Sequence, residues 1–521
     1  MLDAQQLITD NIDVWTSAIK KRNATGRGSS KKIELTGIKK LRELILELAV
    51  RGKLVPQDAS DEPASVLLAR IAEEKAQLVA DKKIKKIKAL PEVTDEDKPF
   101  ELPNGWSFER LGNYSIVFSG SSFKSGDFNS TSGVRVIKIT NAGVGKLIET
   151  DEFLPESFLE KFESFQVFKN DLILALTRPY IHDGLKVSLC PDSYHKSLLN
   201  QRVAAIRAFE YPEYLFLNLR SPYILNLYKN RFGGNGLQPN LKMSDVTELV
   251  IAIPPLAEQQ RIVAKVDELM ALCDQLEQQT KQSLSAHQTL VEVLLAALTE
   301  SKDLNDFQVS WQRISEHFDV LFTTELSIEQ LKQTILQLAV MGKLVPQNPS
   351  DEPASVLLEK IAEEKAQLIA DKKINKQKPL APVKKEEKYC VLPEQWKWVR
   401  LGEVLQVISD YHANGSYKIL KKNVELLDHE DFAIMLRTTN FSKSNYHTYK
   451  YINEHAYHFM SKSKLYGGDI IMNKIGDPGA SFYVEDRGKP MSLAMNLFLL
   501  RTQKVNSKFI YLYLKSNYEY I

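Results

Sequence analysis

Apolar side chains recur at helical spacing in two stretches of the chain, residues 46–83 and 336–373. In the first stretch four apolar residues follow Pro63 on one face of a helix, with charged residues elsewhere: Val66, Leu67, Ile71 and Leu78. Pro63 comes directly after an acidic pair, and proline and acidic residues both favour the first turn of a helix. An upstream helix ends at Gly52. Each stretch therefore predicts a pair of amphipathic helices.

The two stretches are almost the same sequence, "LELAVRGKLVPQDASDEPASVLLARIAEEKAQLVADKK" and "LQLAVMGKLVPQNPSDEPASVLLEKIAEEKAQLIADKK". The match continues without an insertion to Arg110-Leu111-Gly112 and Arg400-Leu401-Gly402. The spacing between the copies is much too long for a solenoid repeat. The chain therefore contains a duplicated set of domains.

Two β-rich segments follow these helices, and we call them the first globule (residues 103–253) and the second globule (residues 393–521). Short apolar runs such as "GVRVIKIT", "NDLILAL" and "GDIIMNK" alternate with Gly, Asn and Asp turns. The globules align loosely, with these residues opposite each other: Lys138 to Asn141 and Arg437 to Asn440, Asp171 and Asp469, Arg207 and Arg501. We expect one mixed α+β scaffold with different loops.

A long helix is predicted after the first globule. Apolar residues recur at alternating steps of four and three, as in a coiled coil: Ile262, Val266, Leu269, Cys273 and Leu276, continued by Leu284, Val291, Leu294 and Leu298. The predicted fold class is α+β, with two mixed α/β domains separated by long helices that form a coiled-coil spacer. The predicted parts are a helical region 1–98, a globular domain 99–253, the spacer helix 254–300, a second helical region 301–388 and a globular domain 389–521.

Composition limits the class of protein. The chain has 521 residues, 43% hydrophobic and 26% charged, and its net charge of +2 requires any basic surface to be local, as at "KKIKKIK" (82–88) or "YKILKKN" (417–423). The first run follows a helix and precedes a proline-bounded acidic linker, so a solvated helix face or linker is the favoured interpretation of that run. No apolar run is long enough for a membrane helix, and the N-terminus lacks the pattern of an export signal, so we expect a cytoplasmic protein. The three cysteines have no metal-binding or disulfide spacing.

Near-identical helices combined with divergent globules indicate a protein that presents one surface twice and reads two different targets. The motifs "LPNGWSFERLG", "LPEQWKWVRLG" and "IPPLAEQQRIVAKVDELMALCDQLE" make this chain similar to the specificity subunits of type I restriction-modification systems. The resemblance covers nearly the whole chain. It implies that each globule is a target recognition domain for one half of a split DNA sequence, and that the helices form an antiparallel spacer.

The resemblance also implies partners. The chain would bind double-stranded DNA, two methyltransferase subunits on the repeated helices and, through the complex, restriction subunits. The candidate partner-binding residues are Leu46, Leu54, Leu67, Ile71, Leu336, Leu344, Leu357 and Ile361. No cofactor is expected in this chain; S-adenosylmethionine, ATP and Mg²⁺ would belong to the partner subunits.

The candidates for DNA contact are polar side chains of the two globules, mainly Arg, Lys, Asn and Gln on loops, because these four residue types make paired hydrogen bonds to base edges. In the first globule these are Ser121, Lys124, Lys138, Asn141, Arg178, Tyr180, Asn235, Gln238, Asn240 and Lys242. In the second they are Tyr411, His412, Asn414, Lys418, Arg437, Asn440, Asn473 and Lys474. Structural alternatives stay open: Arg178 paired with Asp183, Tyr180 in the core, and a solvated strand face for Lys138 and Arg437. The lone His182 and His412 are interpreted as surface residues, not as metal ligands or catalytic groups.

No adenine-methyltransferase NPPY tetrapeptide, ATP-binding phosphate loop or nuclease carboxylate cluster occurs in the sequence, so we expect recognition and not catalysis. Two alternatives remain: an autonomous nucleic-acid enzyme with unrecognised motifs, and a structural coiled-coil scaffold. The second copy stops before any equivalent of "GGNGLQPNLK" or of the spacer helix. We therefore expect the apolar stripe of the spacer helix to lack a partner within the chain. Self-association through residues 256–298 would follow if the chain is complete, and weak DNA binding by the second domain if it is truncated.

Overall fold

The computed structural model describes residues 6, 10–22, 32–84, 89–182, 184–232, 239–372, 374, 378–442, 448–502 and 504–517. The chain forms two compact units, Met1–Ser283 and Leu284–Ile521.

The first unit contains the first of the two repeated helical regions and the first globule. Its helices are α1 (Ile12–Ser17), α2 (Thr36–Val50), α3 (Ala64–Ala80), α4 (Leu111–Tyr114), α5 (Phe158–Lys161), α6 (Pro212–Leu219), α7 (Pro222–Arg231), α8 (Met243–Thr247) and the start of α9 (Leu256–Glu300). Its strands are β1 (Lys20–Arg22), β2 (Lys32–Glu34), β3 (Ser107–Arg110), β4 (Ser115–Ser119), β5 (Val134–Ile137), β6 (Phe153–Leu154), β7 (Gln166–Val167), β8 (Leu172–Ala175), β9 (Tyr180–Ile181), β10 (Gly184–Leu185), β11 (Val187–Leu189), β12 (Ser197–Leu199), β13 (Val203–Ala208) and β14 (Val250–Ile253). We call α2 and α3 the first helix pair.

The second unit contains the rest of α9, a second helix pair and the second globule. Its helices are α10 (Leu304–Glu316), α11 (Phe318–Leu321), α12 (Glu325–Val340), α13 (Ala354–Ala370), α14 (Leu401–Val404), α15 (Tyr417–Asn423), α16 (Thr438–Ser442), α17 (Glu454–Phe459) and α18 (Ser507–Ser516). Its strands are β15 (Leu405–Asp410), β16 (Ala433–Leu436), β17 (Lys450–Ile452), β18 (Lys464–Leu465), β19 (Ile470–Asn473), β20 (Ser481–Tyr483), β21 (Met491–Leu493) and β22 (Leu497–Thr502). We call α12 and α13 the second helix pair.

Both globules are built on two four-stranded sheets with the same strand order. The sheets are β11-β8-β13-β4 and β6-β5-β12-β7 in the first globule, and β20-β19-β22-β15 and β17-β16-β21-β18 in the second. In each globule one central pair is parallel, β5 with β12 and β16 with β21, and the other neighbours are antiparallel. The predicted α+β class and the shared scaffold are confirmed.

A buried ion pair occupies the same position in both globules. Arg207 donates from Nε to Asp171 Oδ1 at 2.9 Å, and Arg501 donates to Asp469 Oδ1 at 2.7 Å. Each carboxylate also accepts a backbone N–H, and each guanidinium lies over an aromatic ring, at 4.4 Å in the first globule and 4.6 Å in the second. The aligned charges of the sequence therefore mark one structural contact, made twice.

In each unit the side chain of one lysine connects the helix pair to the globule by hydrogen bonds. Lys75 of α3 donates to the carbonyl oxygens of Gly112 and Ser115, and Lys365 of α13 donates to that of Gly402 at 2.9 Å. Burial lowers the pKa of the Lys75 ammonium. The lysine satisfies carbonyl groups around the short helix that opens the globule, so the helix pair and the globule pack as one body within each unit.

The spacer prediction is confirmed, because α9 is a single helix of 45 residues. At 1.5 Å per residue it is about 68 Å long. Its first half lies antiparallel to α2, since Arg42 donates to Asp274 at 2.8 Å and to Glu277 at 2.7 Å. Its second half packs against α10, α11 and α12 in one apolar cluster, Val291, Leu295 and Leu298 with Ile314, Leu321 and Leu338.

The apolar stripe of α9 does not lack a partner, and that expectation was wrong. Five of its six residues are buried and Leu284 is half-buried: Ile262, Leu269, Leu276, Val291 and Leu298 are 0%, 0%, 6%, 1% and 1% exposed. The reason is that helices within each unit cover the stripe. Because the stripe is covered, it gives no basis for self-association through residues 256–298.

Candidate nucleic-acid interface

Two of the predicted loops of the first globule meet at Arg178 and Asn240. Thr177 and Asn240 form an antiparallel bridge, and the Arg178 amide donates to the Pro239 carbonyl oxygen at 2.9 Å. Arg178 has a φ of 49°, a left-handed conformation that costs free energy in a residue with a side chain. The arginine and asparagine side chains are both exposed. The arrangement presents a cation beside an amide, the combination suited to base edges.

An open cleft of about 550 Å³ lies next to this loop pair. Arg178 and Lys186 supply cations to its wall, and Ile181, which is 45% exposed, supplies an apolar surface. Sequence reasoning missed Lys186 and Ile181. The signal was present, because Ile181 lies on β9 directly after the predicted Tyr180, and Lys186 directly follows β10 of the same short hairpin.

The other predicted residues of the first globule are in different surroundings. Lys124 and Lys242 are exposed, and Ser121 is half-buried in a bridge with Asn200. Tyr180 packs against the apolar core, as its structural alternative stated. Lys138 donates to Glu152 at 2.6 Å, so its charge is engaged within the domain.

Asn141 belongs to the interior and not to a recognition surface. Its side chain is fully buried, accepts the Lys138 amide at 2.9 Å and donates to the Ile148 carbonyl oxygen at 2.8 Å. Asn235 and Gln238 lie outside the described residues, as does Asp183, the alternative partner of Arg178. Those predictions remain predictions.

In the second globule, the short helix α15 carries the exposed cations. Lys418, Lys421 and Lys422 are all exposed, and within the part of the chain that the structure describes none of them forms an ion pair with a carboxylate. Tyr417 and Ile419 on the same helix are 60% and 49% exposed. Lys421 and Lys422 were missed as individual residues, although their spacing from Lys418 places all three along one turn of helix.

The remaining predictions for the second globule divide by burial. His412 is exposed and Tyr411 is half-buried. Asn414 donates to Ser463 and accepts the Lys462 amide at 2.9 Å, and Lys474 pairs with Asp410 and lies 4.3 Å from the centre of the Phe498 ring. These internal contacts occupy the polar atoms that base recognition would need.

Three further residues lie inside the second globule or at its margin. Asn440 and Asn473 are 1% and 2% exposed, and they form part of the interior. The amide of Arg437 donates to Asn440 Oδ1 at 3.0 Å, the same turn that Lys138 and Asn141 make in the first globule. The Arg437 guanidinium donates to the Thr448 carbonyl oxygen at 3.3 Å. The aligned Lys/Arg-to-Asn motif is thus a structural turn.

The residues predicted to bind partners lie in different environments in the two helix pairs. Leu46, Leu54, Leu67 and Ile71 are 8%, 6%, 1% and 2% exposed, so they form the core of the first unit. In the second unit Leu336, Leu357 and Ile361 are half-buried and Leu344 is 46% exposed. A surface that both helix pairs present must therefore come from other residues of these helices.

Two properties of the described residues concern other classes of site. Among these residues no cluster of His, Cys, Asp and Glu has the arrangement of a metal site. No helix in the same part of the chain is long and apolar enough to cross a bilayer.

The family model and the relatives that match this chain all indicate the same family. Residues 103–286 match the family model described as "Type I restriction modification DNA specificity domain". The EcoAI specificity subunit of Escherichia coli is 46% identical over 79% of this chain and 69% of its own length. The EcoEI specificity subunit of Escherichia coli is 40% identical over 97% of this chain and 85% of its own length.

A solved structure, the HsdS subunit from Thermoanaerobacter tengcongensis, aligns with 81% of this chain and 82% of its own at 20% identity, with a TM-score of 0.42. The family assignment rests on the two Escherichia coli relatives, whose identity and coverage are high. The chain belongs to the specificity subunits of type I restriction enzymes.

Proposed function

We propose that this chain reads a split DNA target, with one globule for each half, and that it docks two methyltransferase subunits through its repeated helices. The observation that carries the proposal is a shared scaffold with different exposed polar elements. The sheets and the Arg–Asp pair are the same in both globules, whereas the first exposes Arg178 and Asn240 and the second exposes the lysines of α15.

The two elements suit different parts of DNA recognition. An arginine beside an asparagine offers paired hydrogen bonds to guanine and adenine in the major groove. A lysine-rich helical turn offers point charges to phosphates, and it fixes position more than sequence. We therefore assign base recognition in the first half of the target to the Arg178 loop and backbone contact in the second half to α15.

Selection of bound duplexes from a random DNA library tests this division, using the full chain together with its methyltransferase partner. Arg178→Ala or Asn240→Ala should relax one half of the selected sequence and cost about 1–3 kcal/mol in binding. Lys421→Ala should leave the selected sequence unchanged and reduce the slope of log affinity against log salt by about 1. Lys302→Ala, an exposed lysine after the spacer helix, is the matched control.

Loss of both halves in the Arg178→Ala variant, or an equal loss on cognate and scrambled DNA, would contradict the assignment of base recognition to that loop.

The partner surface is assigned to the exposed face that α3 and α13 share. Glu73 and Glu363 are equivalent and exposed, and in both helices a glutamine one turn further on donates to an aspartate at 2.8 Å, Gln77 to Asp81 and Gln367 to Asp371. The same polar surface therefore occurs twice. The methyltransferase subunits would supply S-adenosylmethionine chemistry, and the restriction subunits would supply ATP- and Mg²⁺-dependent cleavage.

Native mass spectrometry of the complex tests the docking. Glu73→Lys and Glu363→Lys should each reduce the bound methyltransferase subunits from two to one, and the double variant should bind none. Glu359→Ala is the matched control, because the first copy already has alanine at the equivalent position, Ala69. Retention of two subunits by the double variant would exclude this face.

A further inference from the structure

The most exposed large apolar side chains of the first globule lie in one place. Among the described residues of this globule they are Ile148 and Ile181, at 51% and 45% exposure, and both line the open cleft beside Arg178. Ile139 and Val144, which are half-buried, continue the apolar wall. Exposed apolar side chains gathered at one point of a surface mark a contact site. The cleft therefore offers an apolar contact next to a cation.

Backbone and packing contacts hold the two walls of the cleft in position. One wall is the loop in which the Ile148 amide donates to the Asn141 carbonyl oxygen at 2.9 Å and the Asn141 side chain donates to the Ile148 carbonyl oxygen at 2.8 Å. The other wall is the hairpin of β9 and β10, in which Ile181 pairs with Gly184. A Cβ on Gly184 would lie 3.1 Å from Val144 Cγ1, so the two walls pack directly against each other. The fold itself therefore positions both isoleucines.

The rim of the cleft is positively charged. Arg178 is exposed and Lys186 is half-buried, and among the residues that the structure describes neither forms an ion pair with a carboxylate. Lys138, which directly follows β5, is instead paired with Glu152 at 2.6 Å. Cations at the rim favour a negatively charged partner. Since the same cleft has an apolar wall, its partner combines negative charge with an apolar group.

Double-stranded DNA displays one apolar group at its base edges in the major groove, the C5 methyl group of thymine. The other base edges display hydrogen-bond donors and acceptors there. Successive bases of a strand are about 3.4 Å apart, so a thymine next to a guanine bound by Arg178 would bring its methyl group to the adjoining apolar wall. Because the cleft is open, the edge of a base within an intact duplex can enter it.

We propose that this cleft reads the C5 methyl group of a thymine in the base pair next to the guanine that Arg178 binds. Ile148 and Ile181 contact the methyl group and remove it from water. Cytosine lacks the methyl group, and so the cleft selects thymine over cytosine at this position. The inference rests on the proposed function, because it requires Arg178 to face base edges, and it adds two specificity-determining residues to that site.

Deoxyuridine substitution tests the proposal, because it removes the methyl group and leaves the base-pairing edge unchanged. The full chain with its methyltransferase partner is titrated with duplexes of the selected target, in which each thymine of the first half is replaced in turn. We expect one position, next to the guanine that Arg178→Ala no longer selects, to lose about fourfold in affinity, the effect of returning one buried methyl group to water. 5-Hydroxymethyluracil there should bind no better than deoxyuridine, because its hydroxyl group would be buried without a partner.

Matched variants connect the methyl group to the cleft. In the double variant Ile148→Ala, Ile181→Ala, the thymine and deoxyuridine duplexes should bind equally, and since both side chains are about half exposed the fold should be retained. Leu44→Ala, which shortens a side chain of α2 that is 42% exposed, should keep the fourfold difference. A double variant that also keeps the difference would overturn the proposal, because the methyl group would then be read elsewhere.

The outcomes separate this inference from the proposed function. If Arg178→Ala relaxes one half of the target and no thymine there responds to deoxyuridine, the cleft does not read a methyl group, and the assignment of base recognition to Arg178 stands. A selected half without a thymine beside that guanine would overturn the inference equally. If Arg178→Ala leaves the selected sequence unchanged, the proposed function fails and this inference fails with it.

Discussion

The two helix pairs have nearly the same sequence but different surroundings. Leu67 of α3 is 1% exposed, and its equivalent Leu357 in α13 is half-buried. The globules show the reverse relation, because their sequences diverge while their strand order and central Arg–Asp pair are the same. The burial of a helix side chain therefore depends on which distant segments of the chain pack over that helix, and not on the helix sequence alone. The globules show that a strand order can be kept in divergent sequences that share a few internal contacts.

The largest expected effect tests the shared scaffold. Arg207→Ala and Arg501→Ala should each destabilise their own globule by about 3 kcal/mol, because each leaves a buried carboxylate, Asp171 or Asp469, without its cation. Hydrogen exchange measured by mass spectrometry reports each globule separately. Lys332→Ala, in an exposed ion pair, should cost less than about 1 kcal/mol. A marked difference between the two arginine variants would break the equivalence of the globules.

The difference in cover predicts unequal effects of one substitution. Leu67→Ala should cost about 2–5 kcal/mol, because it leaves a cavity in a packed core. Leu357→Ala should cost less than about half as much, since its side chain is partly solvated and the site can relax. Urea unfolding of the two variants, with exchange in α3 and α13 as the local readout, measures the difference. Equal costs would mean that β14, whose Ile251 and Ile253 join one apolar cluster with Leu67, contributes little to the core.

A third substitution should have equal effects in the two copies. Gly52 and Gly342 have φ angles of 65° and 72°, and a Cβ there would lie 2.4 Å from Pro103 and 2.6 Å from Pro393. Alanine should therefore cost about 1–2 kcal/mol at either position, through strain and overlap. Thermal unfolding measures the loss. Gly126→Ala, where a Cβ would meet nothing within 4 Å, is the control for the same change without overlap.

Much of the fold was predictable because the same sequence signals occur in both copies of the repeat. Helical periodicity together with repeated Pro and Gly boundaries predicted both helix pairs, and the steps of four and three predicted α9. The aligned charges Asp171 and Asp469, and Arg207 and Arg501, turned out to be one ion pair in two copies. What could not be predicted was the cover of α9 and of α3, because the covering residues lie far away in the sequence and only tertiary packing brings them together.

The candidate interface was predictable in part for a related reason. Exposed polar residues such as Arg178, Asn240 and Lys418 were identified from turn-rich composition, although Lys418 lies on the short helix α15 and not on a loop. Asn141 and Asn440 had the right chemistry for bases, but their side chains accept the backbone amide three residues earlier and close a buried turn. Sequence alone does not distinguish an asparagine that binds its own backbone from one that faces solvent.

The smallest expected effect is a pH dependence confined to the first copy. Burial raises the pKa of Glu258 above its ordinary value, and the hydrogen bond from Trp106 opposes that shift only in part. A carboxyl group with a raised folded-state pKa contributes stability that is fully present below its unfolded-state pKa, 4.5, and that is lost as the pH rises through the folded-state value. Stability of the first unit should therefore fall on going from pH 4.5 to 7.

Glu258→Gln removes the titrating group and retains an acceptor for the N–H groups of Trp106 and Gln57, although it loses the attraction to Arg261. Urea unfolding of the wild type and this variant, compared at each pH, isolates the contribution of Glu258. The difference should favour the variant increasingly as the pH rises. Hydrogen exchange around Trp396, the residue equivalent to Trp106 in the second copy, should stay unchanged, because among the described residues no carboxylate accepts the Trp396 ring N–H. If the difference were constant between pH 4.5 and 7, Glu258 would titrate in the folded chain as it does in the unfolded one, and the start of α9 would be more hydrated than its burial indicates.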